Sequence, residues 1–437
     1  MRSLWFPIYR LLAAAASPLA ARRLARACAD NPLMLARQPE RRGHVSFDEG
    51  ELWVHVASVG ELNAAERLVC ALGDERRQRI VLTTLTHTAA EQARMRFASR
   101  NDVRHVFAPL DTVASVSRWL DHTRPRALIL VETEIWPVML DQCRRRLIPV
   151  AMVNARISSR AMRRYRRFAG LFGKALAVID PVLCQGEADR RRFATLGVDD
   201  HRIAVTGNLK YDFDALDPPI DELLAWQRRW SGRPVWVAGS THIGEEPLVG
   251  KAQRELLRRY PDALLIVVPR HPERGQEVLA ELKQAGLTAC MVKDWRPDAR
   301  VQALVIDRIG VLGGLYQVTD ACFIGGSLVE GIGGHNLIEP ALARKPILTG
   351  PYTFDQQAAA EGLEAADGLV RVDSAAALAD KLAKILEDPQ LARQLGANAN
   401  GFAKSQRGAL ATTMNALAGW LRTNSPVVPV AVTDRAD

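Results

Sequence analysis

From residue 51 onward, short apolar runs rich in β-branched residues alternate with longer stretches of helical character, and few folds accommodate that pattern. In the first half the runs are Leu52–Ala57, Ile80–Leu85, Val103–Phe107, Ala127–Val131, Pro149–Val153, Leu176–Ile179 and Val182–Cys184. They show little polar alternation, as expected of strands buried on both faces of a parallel sheet. The acidic, proline-bearing segment Asp212–Asp221 (DFDALDPPID) breaks the series and reads as a linker. The series then restarts with Val235–Ala238, Leu264–Val268, Ala303–Ile306, Ala321–Ile324, Pro346–Leu348 and Leu369–Val372. Repeating βα units in two blocks predict an α/β protein with two doubly wound domains facing each other across a cleft. The expected boundaries are an N-terminal segment 1–45, a first domain 46–211, a linker 212–221, a second domain 222–422 and a tail 423–437.

Composition narrows the class. Hydrophobic residues are 48% and charged residues 24% of 437, which excludes a disordered, collagenous or polytopic membrane chain. The net charge is +9, and its source is local: residues 142–179 carry ten basic residues and no acidic one. Without that stretch the chain would stand at −1. One face is therefore expected to meet anions, or else to be a solvated basic surface. The six cysteines are scattered without CxxC spacing, which predicts reduced thiols rather than a disulfide framework or zinc site.

At the N-terminus, Leu4–Ala21 is apolar, but Arg10 interrupts it and Pro7 and Pro18 punctuate it. Its longest uncharged run, Leu11–Ala21, is about half of the ~20 residues needed to span a bilayer. With Arg22, Arg23 and Arg26 following, the segment reads as a helix lying in the headgroup plane of an anionic leaflet, or as an amphipathic helix packed on the protein's own core.

Chemistry concentrates where strands give way to helices, which is where open α/β sheets bind ligands. His55–Glu61 (HVASVGE) places Glu61 at a helix start, either as a charge stabilising the dipole or as a reacting carboxylate. Glu132 and Glu134 (ETEIWP) follow another strand and are either an exposed pair or carboxylates held by partners. In the second half, Gly239–Glu246 has the composition of a phosphate cradle, without Walker or GxGxxG spacing. Pro269–Arg274 puts a guanidinium at a strand end, and the glycine-rich stretch Gly325–Pro340 carries His335, Asn336 and Glu339. No histidine shows metal-ligand spacing with Cys or Asp. A nucleotide on the second domain, an acceptor on the basic first domain and a carboxylate base between them make nucleotide-sugar transfer the best fit.

HVASVGE, ETEIWP, NARIS (154–158), GNLKYD (207–212), GSTHIGEE (239–246), VPRHPER (268–274) and GGSLVEGIGGHNLIEP (325–340) occur in this order. Together they resemble the 3-deoxy-D-manno-octulosonic acid (Kdo) transferases of lipopolysaccharide synthesis, over nearly the whole chain to about residue 410. The resemblance implies a GT-B glycosyltransferase with two Rossmann-like domains and a membrane-associating N-terminal helix. It implies transfer of Kdo from CMP-Kdo to the lipid A precursor (lipid IVA) at the cytoplasmic side of the inner membrane, with neither metal nor cofactor beyond the donor. By the same resemblance Glu61 is the proton acceptor, and Glu132 and Lys210 stabilise the transition state. The CMP site then falls on Pro269, Arg270, Ile309, Gly310, Val311, Asn336, Leu337, Ile338 and Glu339. Two departures are visible. No acidic or polar residue follows Gly310, and the GGSLVEGIGGHN loop has one residue more than the commoner spacing.

The physical reading runs parallel. Donor and lipid acceptor are both anionic, which suits the arginine-rich stretch. A base removing a proton from the attacking hydroxyl opposite the leaving CMP gives inversion. A different GT-B transferase or a sugar-nucleotide epimerase would share the second-domain signals without needing the apolar N-terminal helix. A nucleic-acid-binding protein would leave the carboxylates and glycine loops unexplained.

Overall fold

The computed structural model describes residues 5–45, 50–212, 216, 218–296 and 300–423. Residues 213–215 and 217 of the expected linker, and the expected tail beyond Thr423, lie outside the described residues. The chain divides into two compact units, Met1–Asp212 with Gly408–Asp437, and Phe213–Arg407.

The first unit is built on seven strands: β1 Leu52–His55, β2 Ile80–Thr84, β3 Val103–Phe107, β4 Ala127–Val131, β5 Val150–Ala155, β6 Ile179–Cys184 and β7 Ile203–Val205. They form one parallel sheet in the order β3-β2-β1-β4-β5-β6-β7. Every residue of β1, β2, β4 and β5 is buried. Trp53, Val81, Leu128, Leu130 and Met152 face one apolar cluster, while Leu52, Val54, Leu82, Ile129 and Val153 face the other. Two dry faces are the reason the strands lack polar alternation. The winding runs from β1 outward to β3, then reverses from β4 to β7. The loops after β1 and β4 therefore leave neighbouring strands in opposite directions and open a crevice at the carboxyl edge.

Two sequence expectations change here. Leu176–Ile179 and Val182–Cys184 do not form separate strands; a helix ends at Leu176, and one strand, β6, runs through Asp180 and Pro181. Its register with β5 shifts there, because a proline cannot donate to the ladder. The second unit also ends at Arg407 rather than 422. The helix Ala409–Thr423 buries Ala409, Met414, Leu417 and Leu421 in the first unit's core. Asp212, where the chain leaves that unit, accepts from Gly408 N at 3.0 Å and from Leu410 N, so it caps the returning helix.

The second unit repeats the plan with β8 Val235–Thr241, β9 Leu264–Pro269, β10 Ala289–Met291, β11 Ala303–Val305, β12 Ala321–Ile324, β13 Ile347–Thr349 and β14 Leu369–Arg371. The parallel order is β10-β11-β9-β8-β12-β13-β14, with the reversal between β8 and β12. Trp236, Ala238, Leu265, Val267 and Phe323 centre its core.

A helix over Trp5–Arg26 buries none of its residues. It is tethered to the first unit by Tyr9, whose hydroxyl donates to Asp111 at 2.7 Å, and by an edge-on contact of Trp5 with Phe168. Leu11, Leu12 and Leu19 stay 63–73% exposed. Among the described residues no helix is long and apolar enough to cross a membrane.

Candidate active site

The reversal point of the first sheet gathers the acidic motifs. Ser58 caps the helix Val59–Asp74 by accepting from Glu61 N, and Glu61 reaches back so that its Oε2 accepts from Ala57 N. This is a capping-box arrangement displaced by one residue, so Glu61 does stabilise its helix. Burial, and then the nearby Glu134 and Glu132 carboxylates, push its pKa up to about 8, although the Ala57 amide pulls the other way.

Glu132 lies just past β4 with φ +60°, a left-handed conformation that turns the chain sharply at the strand end. Its Oε1 meets Lys210 Nζ at 2.6 Å. Lys210 comes from the distant GNLKYD segment and is held there by asparagines: Asn208 Oδ1 accepts from Lys210 N, and Asn154 Oδ1 accepts from Leu209 N, both at 3.0 Å. Glu134 Oε2 accepts from Trp136 Nε1 at 2.6 Å and faces His55 Nε2 at 3.5 Å, while His55 Nδ1 lies 2.9 Å from the Thr83 hydroxyl. Glu61, Glu132 and Lys210 thus come together as the sequence reading expected. His55, Glu134 and Asn154 are added to them. HVASVGE, ETEIWP and NARIS contain these three residues, but only the pairing of β1, β4 and β5 shows that they are partners.

The reversal point of the second sheet gathers the loops expected to hold a nucleotide. Pro269 ends β9, and Arg270 follows with its amide bonded to Thr241 O at 3.0 Å and its side chain exposed. Ile309 and Gly310 are exposed beyond β11, and Val311 is buried at the start of the next helix. Asn336 Nδ2 donates to Glu339 Oε1 at 2.9 Å, and Asn336 Oδ1 accepts from Ile338 N. Leu337 and Ile338 are buried under this turn, and burial raises the Glu339 carboxyl.

The expected phosphate cradle is shaped from inside by Glu245. The fully buried Glu245 carboxylate accepts from the amides of His242, Gly326, Ser327 and Leu328 at 2.7–3.0 Å. Of the cradle's own amides only that of His242 is spent in this way, and those of Gly326, Ser327 and Leu328 shape the facing loop. Gly325 is required by close approach, since a Cβ there would lie 2.7 Å from Ser240 O. Sequence reasoning misses Glu245 as an organiser and the pairing of His335, which it singles out, with His242, their Nε2 atoms being 2.8 Å apart.

Two doubly wound parallel sheets, one with acid–base groups at its reversal point and the other with glycine-rich loops there, define a GT-B glycosyltransferase. The same architecture occurs in a glycosyltransferase from Rickettsia africae (TM-score 0.58, 13% identity, covering 86% of this chain and 99% of that one). It occurs again in UDP-GlcNAc 2-epimerase from Neisseria meningitidis bound to UDP-GlcNAc (TM-score 0.58, 13% identity, 84% and 100%). At such identities the likeness is one of fold alone. Sequence relatives are more specific: the family model for 3-deoxy-D-manno-octulosonic-acid transferase (kdotransferase) matches residues 36–213. The 3-deoxy-D-manno-octulosonic acid transferase of Haemophilus influenzae is 34% identical over 85% of this chain and 88% of its own length. That of Bordetella pertussis is 31% identical over 85% and 87%. The chain belongs to the 3-deoxy-D-manno-octulosonic acid transferase family, and it transfers Kdo in lipopolysaccharide synthesis.

Proposed function

We propose that this enzyme moves Kdo from CMP-Kdo to a sugar hydroxyl of the lipid A precursor (lipid IVA), with inversion, at the cytoplasmic face of the inner membrane. The observation that carries the reading is the Glu61 carboxyl beside the Glu132–Lys210 pair, with an ionisation raised into the range where a base works near neutral pH. The acceptor oxygen attacks the anomeric carbon as the bond to the CMP phosphate breaks, and Glu61 takes the hydroxyl proton. Lys210, neutralised by Glu132 in the free enzyme, supplies a positive charge against the anions that gather at the reacting carbon. Pro269, Arg270, Ile309–Val311 and Asn336–Glu339 hold the CMP moiety, with Glu339 toward the ribose hydroxyls and Arg270 toward the phosphate.

The first unit supplies features that suit an anionic lipid. Arg163, Arg164, Arg166 and Arg167, on the helix Ser159–Arg167, are exposed and make no ion pair among the described residues, whereas Arg144 and Arg145 pair with Asp141. A cavity of about 430 Å³ is lined by apolar Phe6, Leu171 and Val178 and by Asp141, Arg144, Arg145 and Lys174. The exposed leucines of the N-terminal helix suit burial in the headgroup–acyl boundary of the same leaflet. The test is mass spectrometry of the product formed from CMP-Kdo and purified lipid IVA. Addition of Kdo by the wild-type protein and its loss in Glu61→Gln support the reading. Hydrolysis of the donor without transfer to lipid would overturn it.

A further inference from the structure

His55 is fully buried, yet its Nε2 makes no hydrogen bond among the described residues. A buried polar atom in that state calls for a reason. The other ring nitrogen is anchored. Trp53 and His55, two residues apart on β1, face the same side of the sheet, and Thr83 on β2 is the register partner of His55. The Thr83 hydroxyl accepts from Trp53 Nε1 at 2.8 Å and lies 2.9 Å from His55 Nδ1.

Counting hydrogens fixes what the free nitrogen offers. Thr83 has one hydrogen to give, and His55 Nδ1 is nearer to it than the alternative acceptor, Val54 O at 3.4 Å. A neutral ring that accepts at Nδ1 carries its hydrogen on Nε2, and a protonated ring carries one there as well. That hydrogen is turned to Glu134, whose Oε2 is 3.5 Å from Nε2. At this distance the contact is electrostatic rather than a full hydrogen bond. The opposite tautomer would set a bare nitrogen against a carboxylate oxygen.

Glu134 bears directly on the reacting carboxyl. Burial comes first among the causes that raise the Glu61 pKa, and the Glu134 charge is next, ahead of Glu132. The Glu132 charge is offset by Lys210 at 2.6 Å. Besides His55, Glu134 is met by Trp136 Nε1 at 2.6 Å and by Tyr165, with Arg164 beside it, from the helix Ser159–Arg167. Trp136 is two residues along the same loop and moves with Glu134. His55 stands instead on β1, the strand that leads into the helix carrying Glu61, and so ties Glu134 to that helix.

We propose that His55 is a positioning residue for the transfer reaction: oriented by Thr83, its Nε2–H holds the Glu134 carboxylate beside Glu61 and thereby sets the pH range in which Glu61 accepts a proton. The inference rests on Glu61 as the base, as given above. Without the ring, Glu134 is free to turn toward solvent, and Glu61 loses the negative neighbour that delays its ionisation.

The experiment is the pH dependence of kcat/KM for Kdo transfer from CMP-Kdo to lipid IVA by the full chain, in the wild type and in variants of His55. His55→Asn keeps a polar atom near the Nδ1 position and does not reach Glu134, whereas His55→Gln reaches the Nε2 position. His55→Asn is expected to bring the rise of kcat/KM about one pH unit lower, and His55→Gln to keep it where the wild type has it. His55→Leu, which fills the site without polar atoms, should shift as His55→Asn does and decides the matter if that variant fails to fold. On a Glu134→Gln background, with no charge left to hold, His55→Asn should bring no further shift. A rise left in place by the folded Asn or Leu variant, an equal shift in the Gln variant, or a further shift on the Glu134→Gln background overturns the positioning role and leaves Glu61 standing as base. A wild-type profile with no rise overturns Glu61 as the base itself.

Discussion

A carboxyl that faces two other acids and is largely buried releases its proton reluctantly, and Glu61 is in that position. A base of this kind makes kcat/KM rise with pH and level off above about 8, the pKa of the free enzyme's Glu61. Glu61→Gln keeps an oxygen for the Ala57 amide but cannot accept the hydroxyl proton, so turnover should fall by about 10²–10⁴-fold. The same substitution has an opposite effect on stability. With a folded pKa of about 8 against an ordinary value of 4.5, folded Glu61 holds a proton that the unfolded chain has released. Stability therefore declines as pH rises through that window, and Glu61→Gln should flatten the decline, as thermal melts at several pH values would show. If Glu61 served only its helix, Gln would leave the rate nearly intact. Glu134, held by Trp136 and His55, acts through Glu61 in this scheme. Removing its charge in Glu134→Gln should bring the rise in kcat/KM to lower pH while a measurable rate persists, whereas a merely structural role would lower the rate at every pH alike.

Among the elements, the strands buried on both faces are legible in sequence because a dry sheet face excludes polar residues. β4 is uniformly apolar and falls where expected, and β1 differs only at its end. The two strands that escape notice, β7 and β10, are three-residue edge strands, although β14, equally short and also at an edge, shows in the run Leu369–Val372. Motif chemistry is legible where residues share one loop, as Glu61 does with its cap. It is not legible for His242 and His335, which are 93 residues apart and meet only because β8 and β12 pair. The arginine-rich stretch divides in a way that charge counting does not reveal, since part of it is neutralised locally by Asp141 and Asp121. For the helix Trp5–Arg26, exposed leucines allow a test that spares its tether at Tyr9. Leu11→Asp, Leu12→Asp and Leu19→Asp together should move the protein from the membrane fraction to the soluble one in sedimentation, with an unchanged melting temperature. Retention on membranes would assign the attachment elsewhere.

At the scale of the whole molecule, the first unit is not one continuous stretch of sequence. Its first segment ends at Asp212, yet one face of its sheet is completed by a helix that the chain reaches only after traversing residues 213–407. A periodicity reading assigns that helix to the second unit because sequence neighbours are usually spatial neighbours, and here the buried stripe Met414, Leu417 and Leu421 overrides the default. Three such side chains at about 1.5–3 kcal/mol each are comparable with the ~5–15 kcal/mol that holds a domain folded. The first unit should therefore depend on its returning helix. The hydrogen bond of 3.0 Å from Gly408 N to Asp212 makes a direct test geometrically simple, because the two chain ends are already adjacent. A protein in which residues 1–212 run through a short glycine linker into 408–423 should melt as one cooperative transition. Residues 1–212 alone should bind hydrophobic dyes and melt at a lower temperature or without cooperativity. Asp212→Ala in the joined protein should cost about 0.5–2 kcal/mol, the usual loss of a helix cap. Equal stability of the two shortened proteins would show that the helix merely decorates the sheet, and the division of the chain into these two units would then have to be redrawn.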